Sequence, residues 1–336
     1  MRFLISGITL QNARQVTLLL ALLIMAAVVF VLALAVGSAD IAFMDVMRAL
    51  AGKATPEIET LVLDLRLPRT LSAFAVGGLL AVAGVLMQVL LRNPLAEPYI
   101  LGTSGGAAVA ALSAMLLGLS SLAIDAAAFG GALAATLLVF SIARGTGSWA
   151  PTRLLLTGVV LAAGFSAATT LLLALSPEHQ LRGMLFWLMG DLSFAFDPLR
   201  LLLLLLGLSV ASTLMARQLN VLARGETQAT IVGLPVTNFR YLVFIGASLA
   251  TALAVTAVGV IGFVGLVVPH LVRIAAGSDH RIVVPASAIA GGTLLVLADT
   301  LARTLLAPRQ LPVGALTAAI GVPLFLLLMS RSQRYR

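Results

Sequence analysis

Thr17 to Val36 reads TLLLALLIMAAVVFVLALAV, twenty residues without a charged side chain. A helix rises about 1.5 Å per residue, so this run makes a rod of about 30 Å, the thickness of a bilayer's hydrocarbon core. Similar runs follow at Leu71–Leu91, Ile100–Leu117, Leu122–Ala143, Leu154–Leu175, Leu199–Ala216, Tyr241–Val258, Val260–Ala276, Val283–Leu306 and Val313–Met329. All are continuously apolar, whereas the strands of a transmembrane barrel are about 10 residues long and alternate. The expected fold class is all-α, a polytopic membrane protein with about ten transmembrane helices forming one domain over 1–336. Ala33-Leu34-Ala35 imitates a signal-peptide cleavage site behind Arg2 and Arg14, but the apolar run exceeds the about 7–15 residues usual in such peptides. It is therefore read as a retained span.

Composition agrees. Of 336 residues 60% are hydrophobic and 10% charged, against about 25% charged in ordinary soluble domains. The net charge of +8 does not point to nucleic acid, because the arginines punctuate apolar runs and form no basic face on a soluble domain. Cysteine is absent, which excludes disulfides and thiolate metal sites. With both ends placed in the cytoplasm, thirteen of the 21 Lys and Arg but only three of the 13 Asp and Glu fall on the inner side. That asymmetry satisfies the positive-inside rule.

Three connections exceed a turn: Gly37–Arg69 and Ser176–Pro198 outside, and Arg217–Arg240 inside. Met184–Met189 in the second, a half-apolar piece, reads as a short interfacial helix. In the third, stop signals at Gly233 and Pro235 predict a short helix over Glu226–Val232, in the segment near 217–240. Glu226 suits its N-terminus, while Ala229, Ile231 and Val232 offer an apolar face with almost nothing to pack on inside the subunit. A weak echo between Leu79–Gly106 and Leu294–Gly321 puts their turns on opposite sides, as in inverted-repeat transporters.

Catalytic chemistry is missing. Lys53 follows Gly52, but Ala54 stands where a Walker A loop needs Ser or Thr, so the chain is not its own P-loop ATPase. Gly102-Thr103-Ser104-Gly105-Gly106 matches a nucleophile-elbow spacing without the strand that motif requires, and Gly102-x-x-x-Gly106 suits close helix packing better. Asp64, Asp125, Asp191, Asp197 and Asp299 lie near span ends, where water solvates them, which argues against an ion relay; Asp299 can pair with Arg303 four residues on. His179, His270 and His280 lack metal-ligand spacing. His179, near Arg182 on the outer side, is a candidate substrate contact, as is Arg182 itself.

Several motifs in order then carry a resemblance: Leu65-Arg66-Leu67-Pro68-Arg69-Thr70, Gln88, Arg92-Asn93-Pro94-Leu95-Ala96-Glu97-Pro98 and Leu101-Gly102-Thr103-Ser104-Gly105-Gly106-Ala107. Further on come Arg153-Leu154-Leu155-Leu156-Thr157-Gly158, Phe186-Trp187-Leu188-Met189-Gly190, the stretch Gly259–His270, and Leu311-Pro312-Val313-Gly314. From Thr60 onward the chain resembles the permease subunits of type II ATP-binding-cassette importers, which take up iron chelates, heme and cobalamin. The resemblance implies that fold, a homodimer around one pathway, two ATPase subunits that bind ATP and Mg, and a periplasmic binding protein. No cofactor is expected on this chain, and its place is the bacterial inner membrane. Residue by residue, Glu226, Ala229, Ile231, Val232 and Gly233 match the helix that couples to the ATPase. Arg66, Arg69 and Arg303 match outer arginines that dock the binding protein, with headgroup anchoring as the alternative for the first two. Asn93 and Leu95 match a cytoplasmic gate, whose companion is Thr152 in a Pro151-Thr152 pair that departs from the usual small hydroxylated residues. Heme is the favoured cargo, because small aliphatic lining with an arginine near the mouth suits a flat ring with two propionates; ferric siderophore is second and cobalamin third. A stand-alone secondary transporter is the competing class.

Overall fold

The computed structural model describes residues 2–37, 41–144, 151–194 and 197–332. Arg334 and Arg336, counted above among the inner cations, lie outside the described residues. The chain forms α1 (Arg2–Ala35), α2 (Phe43–Leu50), α3 (Pro56–Glu59), a π-helical stretch Thr60–Arg66 and α4 (Leu67–Leu90). After a 3₁₀ turn at Pro98–Leu101 come α5 (Thr103–Leu116), α6 (Ser121–Arg144), α7 (Pro151–Leu175) and α8 (Glu178–Met189). A second 3₁₀ turn, Leu192–Phe194, leads to α9 (Pro198–Leu214), α10 (Ala216–Ala223), α11 (Glu226–Ile231), α12 (Val236–Val258), α13 (Val264–Ala276), α14 (His280–Thr304) and α15 (Val313–Ser332).

Among the described residues six helices are long and apolar enough to cross a membrane, and α9 with α10, bent by 64°, makes a seventh. The apolar helices α5, α13 and α15 are shorter. Together these account for the ten apolar runs, but two runs are not continuous spans as expected. Val260–Ala276 is helical only from Val264, because Phe263 sits in the left-handed region at φ 68°. Ile100–Leu117 is broken by Gly102 at φ 71°.

Non-helical backbone at membrane depth must find partners within the protein. The Phe263 N–H donates to Glu97 Oε1 at 2.8 Å and the Ile261 N–H to Tyr99 Oη at 3.2 Å. The Gln88 amide donates to the carbonyls of Gly265 (3.4 Å) and Leu266 (3.2 Å). Glu97 is thus an internal acceptor for a helix start. Val313 N–H to the Gly190 carbonyl (3.1 Å) and Asp191 N–H to the Val258 carbonyl (2.8 Å) close the other breaks.

The centre of the bundle is α4, buried over 94% of its most apolar window, and it packs most extensively on α14. Lipid gives apolar side chains no reason to prefer one another, so close packing of small residues holds such helices together. A Cβ placed on Gly291 would stand 2.5 Å from Ala81 Cβ and 2.6 Å from the Gly77 carbonyl oxygen. Gly106 packs the same way on Gly131, joining α5 to α6, whereas Gly102, its expected partner in a packing motif, is the left-handed start of α5. The turns of the two echoing hairpins, α4–α5 and α14–α15, do lie at opposite ends of the bundle: Asn93 beside α11, Gln310 beside Ser193.

Gly291→Ala should therefore cost about 1–3 kcal/mol, the usual range for overpacking. In thermal unfolding of the purified protein its midpoint falls, whereas Gly130→Ala, where a new Cβ meets nothing within 4 Å, leaves it in place.

Candidate functional site

At one end of the bundle the predicted short helix is present. Gly225 enters it at φ 125°, and Gly233 at φ 84° lets the Leu234 N–H return to the Ala229 carbonyl (3.0 Å) and its own N–H to the Thr230 carbonyl (2.9 Å). That pair of bonds is the Schellman termination, which needs a left-handed residue after the helix. Glu226 occupies the first turn and also forms an ion pair with Arg240 at 3.0 Å. Ile231 and Val232 are 79% and 72% exposed, but Ala229 is fully buried. The expectation that Ala229 shares an outward face with them is corrected: on so short a helix its position turns back toward the helix's own subunit.

The segment is tied to α14 by side chains that the sequence reading passed over. Asn220 on α10 donates its amide to Asp279 Oδ1 at 2.8 Å, while its Oδ1 accepts from the His280 N–H (2.9 Å) and faces His280 Nδ1 (2.6 Å). Asp279 also accepts from the Arg281 N–H at 3.0 Å. Partial burial pushes the Asp279 carboxyl up, yet the bonds from Asn220 and the Arg281 backbone, with the neighbouring Arg281 charge, hold it below the ordinary carboxylate range. A depressed folded-state pKa makes this contribution complete at neutral pH, to be lost only as pH falls through it.

Beside this segment lies the turn after α4. Asn93 Oδ1 accepts from the Leu95 N–H at 2.9 Å, an Asx turn that presents Leu95 to solvent. Arg92 holds a left-handed conformation at φ 47°. Thr152, the candidate companion, is exposed near the start of α7.

At the other end, the three candidate docking arginines converge on Asp299, on the C-terminus of α1, or on both. Arg69 chelates Asp299 with Nη2 at 2.7 Å and Nε at 3.0 Å, and its Nη1 reaches Ser193 Oγ at 3.1 Å. Arg303 Nε approaches Asp299 Oδ2 at 3.1 Å and its Nη2 donates to the Ala33 carbonyl at 3.3 Å. Arg66 Nη1 donates to the carbonyls of Leu34 and Ala35 at 2.7 and 2.8 Å. Helix C-termini leave carbonyls unpaired, and cations are stabilising there. Arg66 and Arg303 are thus buried caps of α1 and not the outward-facing cations expected, while Arg69 keeps an exposed edge. Asp299 is likewise buried and not solvated, with both the anticipated partner and one from 230 residues away. His179 and Arg182 remain exposed on α8, Arg182 lying 5.7 Å from the centre of the Phe186 ring.

A bundle with interrupted half-helices, a short helix protruding at one end and capped arginines at the other is the architecture of an importer permease. The comparisons agree. The model of the FecCD transport family matches residues 9–331, and the chain belongs to that family of ABC importer permeases. It is 38% identical over 328 residues to proteins named vitamin B12 import system permease BtuC from Salmonella newport and Salmonella typhi, with 96% of this chain and 98% of theirs covered. Among solved structures, a metal-chelate type ABC transporter in an inward-facing conformation matches with a TM-score of 0.82 and 29% identity, over 94% of this chain and 99% of that one. PsaBC from Streptococcus pneumoniae shares the fold at a TM-score of 0.56 and 19% identity, over 78% of this chain and 90% of that one.

Asp299→Asn should be strongly destabilising, because it leaves the buried guanidinium of Arg303 and the partly buried one of Arg69 without a carboxylate. Breaking a buried ion pair costs about 3–5 kcal/mol. The expected result is a large drop in thermal midpoint, with Arg69→Gln milder because its guanidinium is partly solvated.

Proposed function

We propose that this chain is the permease of an ATP-driven cobalamin importer. The observation that carries the reading is the 38% identity, over nearly the full length of both chains, to permeases named for vitamin B12 import. It reverses the order drawn from the sequence, which set heme and ferric siderophore ahead of cobalamin on the lining alone. Small aliphatic lining does not distinguish among these cargos, so similarity over the whole chain outweighs it. Permease subunits of ABC importers do not hydrolyse ATP, and those of type II act as dimers with ATPase subunits and a binding protein.

In this reading the protein sits in the bacterial inner membrane with both termini and α11 on the cytoplasmic side, as the charge asymmetry supports. A second copy of the chain packs against α7, of whose most apolar window only 6% is buried within the subunit. Two ATPase subunits, which carry the ATP and Mg, receive α11 through Ile231 and Val232. Glu226 steadies that helix through Arg240, Gly233 ends it, and Ala229 anchors it from within. Asn93, Leu95 and Thr152 form the inner gate. The binding protein docks around Arg69, with Arg66 and Arg303 as its foundation, and His179 and Arg182 stand at the mouth as contacts for cargo.

Proteoliposomes holding the chain, its ATPase subunit and its binding protein should accumulate labelled cobalamin only with ATP. Uptake of heme or a ferric siderophore without cobalamin would overturn the cargo, and uptake that survives loss of ATP would overturn the class. Exposed apolar groups contribute about 1.5–3 kcal/mol each when fully buried. The double variant Ile231→Asp/Val232→Asp should therefore dimerise normally yet retain the ATPase subunit at least tenfold more weakly in pull-down. Undiminished retention would move the contact elsewhere.

A further inference from the structure

The end of the bundle that carries α11 also holds a cavity of about 510 Å³ of whose lining only Asn93 has a place in the proposed function. It lies between the turn after α4, the α10–α11 segment and the link from α13 to α14, and three guanidiniums line it: Arg92, Arg224 and Arg273. One carboxylate shares the lining, that of Asp279, and its Oδ1 already receives the Asn220 amide and the Arg281 N–H. Among the described residues Arg273 reaches a neutral acceptor, the Gln88 side-chain oxygen. The cavity therefore holds more cationic charge than its own side chains neutralise.

A second polar feature narrows the occupant. His280 lines the cavity, is only 2% exposed, and has no partner on its Nε2 among the described residues. The tautomer follows from the neighbours. Because the Asn220 Nδ2 donates to Asp279, the atom turned toward His280 is an acceptor, Asn220 Oδ1, so the imidazole proton resides on Nδ1. That leaves Nε2 with a lone pair directed away from Asn220. A buried acceptor of this kind needs a donor. The site thus asks for two things at once: anionic oxygens for the guanidiniums and a hydroxyl for His280.

We propose that this cavity binds a phosphate group that carries or adjoins a hydroxyl. Hydrogen phosphate has both features in one group, and a phosphatidylglycerol headgroup has them side by side. Guanidinium suits phosphate because its planar fork pairs with two oxygens. Arg92 and Arg224 also border an adjoining hollow of about 450 Å³ walled by Gly225–Gln228, so an occupant would brace the start of α11 against α4, α13 and α14. This inference rests on the lining alone and does not depend on which cargo is carried.

The test uses the full-length chain, purified in neutral detergent and stripped of phosphate and lipid. Inorganic phosphate should bind saturably in calorimetric titration and at least tenfold more tightly than sulfate, which has the same shape but no proton to give His280 at neutral pH. Arg224→Gln/Arg273→Gln should weaken phosphate at least tenfold, and His280→Phe should erase the preference over sulfate. In a parallel arm, native mass spectrometry of protein from nanodiscs with and without phosphatidylglycerol counts retained lipid. Retention of phosphatidylglycerol that the double arginine variant loses identifies the lipid as the source, and saturable phosphate without lipid retention identifies the free ion. The phosphate-to-sulfate ratio is read on the unmodified protein, so a variant that fails to fold does not blunt the test. Equal binding of the two anions overturns the role of His280, and saturation by neither phosphate nor lipid overturns the site.

Discussion

Everything in this bundle hangs on the closeness of α4 and α14. Gly77 and Gly291 let the two backbones approach until a carbonyl of one helix nearly occupies the place of a side chain on the other. The same device recurs where α4 meets the start of α13, with Gly84 against Gly265. Bulk at these positions would separate the helices, and with them every polar contact that spans the seam. In lipid, where apolar side chains gain little from leaving their solvent, such contact supplies much of the association energy.

Given that seam, α14 becomes a strut with a polar joint at each end. At one end Asp279 and His280 are bound to Asn220 of the α10–α11 segment. At the other, 20 residues along, Asp299 gathers Arg69 and Arg303, and Arg303 reaches on to the end of α1. A helix of 25 residues is about 37 Å long and does not stretch appreciably. Displacement of the α11 end is therefore felt at the Arg69 end through a rigid element whose two joints are hydrogen-bonded and not merely packed. That is a physical warrant for communication between the two faces proposed above for the ATPase subunit and the binding protein, stronger than their lying on one chain.

The apolar runs and the stop signals were legible in the sequence because they are local. The runs Thr17–Val36, Leu122–Ala143 and Val283–Leu306 are helical to within two residues of their predicted ends, and Gly233 ends α11 as its position predicts. What could not be read is what depends on partners far away in the chain. Arg69 meets Asp299 across 230 residues, Gln88 meets Gly265 across 177, and Asn220 meets Asp279 across 59. Nothing in the composition of a span says that Arg66 will bend back to carbonyls 31 and 32 residues earlier, so a buried cap looked like an exposed docking charge. Hydropathy likewise merged Val260–Phe263 with α13, because an unwound apolar loop and an apolar helix score alike. The signal that could have separated them was Glu97: a lone carboxylate beside Pro98, within reach of apolar backbone, needs a donor, and an unwound segment supplies one.

Those interrupted helices explain what several of the few polar side chains of this protein are engaged in. The break before α13 exposes backbone groups that a continuous span would satisfy for itself, and they are met by three of the rare polar residues, Glu97, Tyr99 and Gln88. Substituting any of them with an apolar residue leaves a backbone group unpaired at membrane depth, where water does not replace the lost partner. The break is therefore anchored, and an anchored break concentrates bending at one place along a helix that otherwise moves as a unit. The glycine seam and the anchored break thus divide the bundle into a closely packed pair, α4 with α14, and a helix, α13, whose backbone is interrupted and held at one place by side chains.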